Sequence, residues 1–198
     1  MACAPVATRL WKPLSRKTSL ALFIPIVIVC IVIDRLSKAW AADALPLGTQ
    51  DGLDLLLVRL TMVHNEGAAF GMGQGHPEVF ALIAFIILAV IVVWLLIGKH
   101  HGKLETVALA LVAAGAVGNV IDRLAQGYVV DFFEFTFIDF PVFNVADICI
   151  TCGVILFIIC VMFFMDWDDD EKAATKGGPA VSAVCTDAGK RGEEDRLK

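Results

Sequence analysis

The chain has 198 residues, of which 58% are hydrophobic and 19% charged, and its formal net charge is −5. Soluble domains are about 45–50% apolar even with glycine counted, so this composition excludes an ordinary soluble domain, a disordered chain, a nucleic-acid binder and a secreted disulfide scaffold. A small polytopic membrane protein remains.

Taken in order, residues 1–19 form a basic cytoplasmic extension carrying Arg9, Lys12, Arg16 and Lys17. A membrane-crossing helix needs about 20 mostly apolar residues, and four stretches within a membrane domain of 20–165 qualify. The first is 20–42; a cleaved signal peptide is its rival reading, but no small-residue cleavage site follows it directly. A link over 43–78 follows, too long for a simple turn. Its run Leu53 to Val63 suits strand structure, and the small residues of 64–71 allow close backbone approach. The second span is 79–98. The third, 106–121, is rich in small residues. The link 125–143 is aromatic (Phe132, Phe133, Phe135, Phe137, Phe140), a composition favoured at membrane interfaces. The fourth span starts near Asn144 and is uncharged from Ile148 to Met165. Residues 166–198 hold nine acidic and six basic residues and read as a disordered acidic cytoplasmic tail. The expected fold is an all-α membrane protein, four transmembrane helices with a small β-rich platform on the outer face.

Basic residues favour the cytoplasmic side. They cluster before the first span and in the 99–103 link, so both termini are expected inside and the links 43–78 and 125–143 outside. On that topology Asp34, Arg35, Lys38, Asn119, Asp122, Arg123, Asp131, Asn144 and Asp147 all fall at the outer face. Ionisable groups near hydrocarbon are costly and tend to be functional or paired. A proton-coupled transporter would carry such groups near the midplane and along both halves of its path; here the inner halves of the spans read as apolar.

Elimination narrows the chemistry. No Gly-x-Ser-x-Gly motif is present, and adjacent Ser37 and Lys38 point about 100° apart on a helix, too divergent for a dyad. The histidines (His64, His76, His100, His101) lack zinc-ligand spacing. Cys30, Cys149, Cys152 and Cys160 sit in apolar runs as packing groups, and Cys3 and Cys185 read as exposed thiols. The Gly71-x-Gly73-x-Gly75 run lacks the strand-to-helix context of a phosphate loop. Carboxylates are left. Two aspartates at one site hold one proton between them, the ionised member activating water and the protonated one polarising a carbonyl. Spacing does not say which two. Plainer readings stand beside this. Asp34 and Lys38 make an i,i+4 salt bridge, Asp122–Arg123 is a snorkelling pair, and Asn119 and Asn144 bond between helices. Glu134, Asp139, Asp51 and Asp54 are solvated.

Five ordered blocks carry a resemblance: Asp34-Arg35-Leu36-Ser37-Lys38, Asn65-Glu66-Gly67-Ala68-Ala69-Phe70, Gly118-Asn119-Val120-Ile121-Asp122-Arg123, Gly127-Tyr128-Val129-Val130-Asp131-Phe132 and Phe143-Asn144-Val145-Ala146-Asp147. Over roughly 20–165 the chain closely resembles the lipoprotein signal peptidases (signal peptidase II), aspartic endopeptidases of the bacterial cytoplasmic membrane. The resemblance implies that Asp131 and Asp147 are the catalytic dyad. It implies removal of the signal peptide from prolipoproteins just before a diacylglyceryl-modified cysteine. Asn119, Arg123 and Asn144 would then surround the dyad and help hold substrate, with Asn65 and Gly67 on the platform nearby. Asp34, Lys38 and Asp122 would be framework polar groups that orient the site. Sensitivity to the cyclic peptide globomycin is implied too. The reading requires no metal, cofactor or nucleic acid. It places the protein among membrane lipid as a functional monomer, its site near the outer face.

Overall fold

The computed structural model describes residues 14–67, 75–98 and 100–164. Along them run β1 (Leu14–Ser15), α1 (Arg16–Ala44), β2 (Gly48–Leu55), β3 (Val58–Asn65), α2 (Pro77–Ile97), β4 (His100–His101), α3 (Lys103–Gln126), β5 (Val129–Phe135) and α4 (Val145–Phe164). The acidic tail and the glycine run at 71–73 lie outside the described residues.

Local chemistry sets the helix ends. The Ser15 hydroxyl accepts from the Thr18 N–H at 3.3 Å, so α1 starts about a turn before the apolar run. α2 opens with proline at its first turn, where the missing N–H costs nothing. α3 stops at Gly127, whose φ of +82° suits a residue without Cβ, and the Gly127 N–H donates to the Arg123 carbonyl at 3.1 Å.

All four helices are long and apolar enough to cross a membrane. Three of them turn apolar side chains outward, among them Ile28 on α1, Ile86 on α2 and Ile155 on α4. α3 is different: Ala108, Ala110, Ala113, Ala114, Ala116 and Gly118 are buried, and the other helices pack around it. Small residues are what allow this closeness. A Cβ on Gly115 would collide with the Ala146 carbonyl oxygen, and one on Gly153 would lie 2.8 Å from that of Ala108. Gly115→Val is therefore expected to cost about 1–3 kcal/mol through overpacking, seen as a lower thermal midpoint in detergent. Ile155→Val, on the outward side of α4, should leave that midpoint in place.

The platform is a three-stranded antiparallel sheet in the order β2-β3-β5. The run Leu53 to Val63 is a hairpin rather than one strand: β2 and β3 turn at Leu56, which has φ of +55° and is 92% exposed. The aromatic link contributes a strand as well as exposed rings at Phe137 and Phe140. It supplies β5, paired with β3 in a register that sets Val63 opposite Asp131 and Asn65 opposite Val129. Phe132 is buried, and Phe135 packs within 6 Å of Phe137, Phe140 and Phe143, centre to centre. Glu134 is half-buried, 3.8 Å from Arg59 Nη1, rather than solvated. Asp54 does face water, paired with Arg59 Nε at 2.6 Å.

At the other end of the helices β1 pairs with β4, Leu14 opposite His101. Glu105, in the first turn of α3, is buried there. It accepts from Trp94 Nε1 at 2.6 Å and the Gly102 N–H at 3.0 Å, and faces His101 Nδ1 at 3.1 Å. This half of α3 is thus not wholly apolar, but its carboxylate is fully engaged in capping the helix and joining it to α2.

Candidate active site

Where α3 ends and α4 begins, beside the platform strand β5, two carboxylates approach each other. Asp131 is on β5 and is 2% exposed. Asp147 stands in the first turn of α4. Asn144 caps that helix: its Oδ1 accepts from the Asp147 N–H at 3.0 Å, while Asp147 Oδ2 accepts from the Asn144 N–H at 3.1 Å. This reciprocal arrangement is a capping box, and it satisfies two of the donors a helix start leaves free. The same Asn144 donates from Nδ2 to Asp131 Oδ1 at 2.6 Å. One residue therefore holds both carboxylates, Asp131 through its side chain and Asp147 through its backbone N–H.

Neighbours complete the shell. Asn65 donates from Nδ2 to Asp131 Oδ2 at 2.8 Å, and its Oδ1 accepts from the Gly67 N–H at 3.0 Å, which fixes the direction of the amide. Asn119 on α3 donates to Asp147 Oδ1 at 2.8 Å. Arg123, one turn on, donates from Nη2 to the Gly67 carbonyl at 3.0 Å, and its guanidinium lies 5.5 Å from the centre of the Phe80 ring. Burial, then the charge of Asp147, pushes the Asp131 carboxyl up to about 7; the amides of Asn65 and Asn144 and the charge of Lys38 act in the opposite direction.

Beside this shell lies a second polar cluster, between α1 and α3. Asp34, 1% exposed, accepts from Arg35 Nη2 at 2.8 Å and the Ala146 N–H at 3.1 Å, and lies 3.1 Å from Lys38 Nζ. Asp122 pairs with Arg35 Nη1 at 2.6 Å and Lys38 Nζ at 2.9 Å. Asp122 is thus buried in ion pairs, not snorkelling with Arg123. A Cβ on Gly118 would lie 2.6 Å from Asp34 Oδ2, so glycine there lets the carboxylate reach the α3 backbone. Ser37 donates to the Asp34 carbonyl at 2.9 Å and takes no part with Lys38.

The site opens on a cavity of about 600 Å³ between α2, α3, α4 and the platform, bounded by Asp131, Asp147 and Arg123 at one end and Ile87, Thr151 and Cys152 at the other. Its wall is mostly apolar. Among the described residues, no three His, Cys, Asp or Glu side chains converge to hold a metal.

The family model for signal peptidase (SPase) II matches residues 26–163. The chain belongs to the signal peptidase II family. Among its relatives, the lipoprotein signal peptidase of Lactiplantibacillus plantarum is 39% identical over 142 residues, covering 71% of this chain and 94% of that one. That of Clostridium acetobutylicum is 38% identical over 150 residues, covering 74% and 95%. A bacterial membrane enzyme solved in meso at 2.3 Å matches with a TM-score of 0.66 at 32% identity, covering 80% of this chain and 93% of the other. The fold expected from the sequence, four membrane-spanning helices with a small sheet, is the fold observed.

All ten site residues named from this family member's sequence are among those described. The structure sorts them into two groups. Asn65, Asn119, Arg123, Asp131 and Asp147 line the cavity, Gly67 and Asn144 are bonded to them, and Asp34, Lys38 and Asp122 lie behind. Two residues outside that set belong here as well. Arg35 bridges Asp34 and Asp122, and its place beside Asp34 in the block Asp34-Arg35-Leu36-Ser37-Lys38 was the available signal. Phe80 supports Arg123; a lone aromatic in an apolar span gives no such signal.

Proposed function

We propose that this protein is an aspartic endopeptidase of the bacterial cytoplasmic membrane that removes the signal peptide from diacylglyceryl-modified prolipoproteins, cutting just before the lipidated cysteine. Membership of the signal peptidase II family supports the substrate class. The observation that carries the mechanism is the bridging of Asp131 and Asp147 by Asn144 at the mouth of an apolar cavity.

Charge balance points the same way. The two adjoining clusters contain four carboxylates, Asp34, Asp122, Asp131 and Asp147, against three cations, Arg35, Lys38 and Arg123. Buried charge without compensation is expensive. One proton on the dyad makes the set neutral, and Asp131, with its carboxyl raised to about 7, holds it near neutral pH. Asp147, ionised, takes a proton from water, whose oxygen attacks the scissile carbonyl carbon. Asp131 donates its proton to the carbonyl oxygen. Collapse of the tetrahedral intermediate breaks the C–N bond: the proton gained by Asp147 passes to the departing amine of the cysteine, and one hydroxyl of the intermediate returns a proton to Asp131 as the new carboxyl forms, which restores the dyad. The titration belongs to the pair rather than to either member.

The acyl chains of a diacylated cysteine stay in lipid, so its scissile bond rests near the membrane surface. The apolar cavity beside the dyad lets such a substrate enter from the side. Both termini are placed in the cytoplasm and the platform on the outer side, and globomycin-type cyclic peptides are expected to compete for the cavity. The test is one prolipoprotein in two forms, presented to the purified protein in lipid. Cleavage of the diacylated form, leaving cysteine at the new N-terminus, with no cleavage of the unmodified form is the expected result. Equal cleavage of both would refute the lipid requirement.

A further inference from the structure

The two ends of the Asn119 amide differ in chemistry and hardly at all in shape, so its partners decide which way it points. Its Oδ1 accepts from Lys38 Nζ at 2.9 Å and Asn144 Nδ2 at 3.2 Å, which leaves Nδ2 to donate to Asp147 Oδ1 at 2.8 Å. Turned over, the amide would set its NH2 against an ammonium and a second amide NH2, and its oxygen against a carboxylate. Lys38 is 4% exposed and has three donors. One goes to Asn119 and the others meet Asp34 and Asp122 at 3.1 and 2.9 Å. Among the described residues the ammonium is thus the group that reaches from the rear ion-pair cluster to a side chain touching the dyad.

We propose that Lys38 is a positioning residue for the reaction. By holding the Asn119 carbonyl it keeps the opposite end of that amide donating to Asp147, and its charge favours the singly ionised dyad. This rests on the dyad reading and adds to it: the cluster between α1 and α3 controls the geometry and titration of the site, not only the packing of two helices. The groups facing the dyad are Asn65 from β3, Asn119 and Arg123 from α3, Asn144 ahead of α4, and Lys38 from α1.

Lys38→Met alone leaves two buried carboxylates with one cation, so a loss of fold would account for any loss of activity. The informative protein is the double variant Lys38→Met/Asp122→Asn, in which one carboxylate and one cation remain. It is expected to fold, to cleave diacylated prolipoprotein with KM within about twofold and kcat lowered about 10–100-fold, the scale of one lost charge-assisted hydrogen bond. The alkaline limb of its pH–rate profile should move up, because of the two charges removed it is that of Lys38 that favours ionisation of Asp131. Asn119→Asp, which keeps an acceptor for Lys38 but has no donor for Asp147, should lose at least as much in kcat. A folded double variant with wild-type kcat and pH limb, or an Asn119→Asp protein with wild-type kcat, would overturn the positioning role. Retained cleavage by Asp131→Asn or Asp147→Asn would instead overturn the dyad, so the two failures are distinguishable.

Discussion

Asp131→Asn and Asp147→Asn are each expected to slow cleavage of a diacylated prolipoprotein by about a thousandfold or more, with little change in thermal midpoint. General acid or base action alone is worth roughly 10²–10⁴ in rate, and here neither partner can take over the other's part. The amide conserves shape and keeps one acceptor towards the surrounding asparagines, so the capping box at Asn144 and the pairing of β5 with β3 survive. Activity in either variant above a tenth of wild type would remove the assignment. The wild-type profile adds a second reading of the same chemistry. The Asp131 carboxyl is raised to about 7, so below that pH it holds the proton the carbonyl needs, and above it the proton is lost. The rate at low substrate should therefore fall as pH rises through about 7, approaching tenfold per unit beyond it. A plateau extending to pH 9 would contradict this.

Asp34→Ala is expected to be the most destabilising single change behind the site. Its carboxylate answers Arg35, Lys38 and the Ala146 N–H, and that N–H is one of the unpaired donors at the start of α4. Removing one member of a buried ionic network costs about 3–5 kcal/mol, because the remaining charges stay buried. The measurement is thermal unfolding in a fixed detergent, with Asp54→Ala as the comparison. Asp54 makes an equally short contact with Arg59, but in water, where screening leaves such pairs little weight; that variant should unfold with the wild type. If both variants unfolded alike, the cluster would not be the support described here.

Much of this arrangement was legible in the sequence. Apolar length located the four spans, and the positions of Asp34, Lys38, Asn119, Asp122, Arg123, Asp131, Asn144 and Asp147 relative to them indicated one shared end. Motif blocks then nominated two aspartates where spacing could not choose. Other parts were hidden for definite reasons. A strand buried on both faces has no alternation of polar and apolar residues, so β5 left no mark within the aromatic link. The hairpin at Leu56 has a turn built from leucine, without the glycine or asparagine that normally announces one. Glu105, between the basic link and the third span, carries no local sign that Trp94 and His101 fold over it. The spacing Asn144-x-x-Asp147 was the signal left unused. It is a helix-start pattern, and it alone locates the first turn of α4 and the partner that orients Asp147.

The burial of α3 bears on how the molecule is assembled in the bilayer. Helices that face lipid earn their place one at a time through their own side chains, but α3 spends its length on alanine, glycine and charged ends. Such a segment gains little from lipid by itself and gains its stability from neighbours that cover it. α4, which follows it in the chain, brings Gly153 and Ala146 against its backbone. The last span is thus what completes the burial of the third. A chain ended after α3 would keep the pairing of Asp122 with α1 but leave Asn119 without Asp147 and Asn144, so the same segment that covers α3 also closes the site.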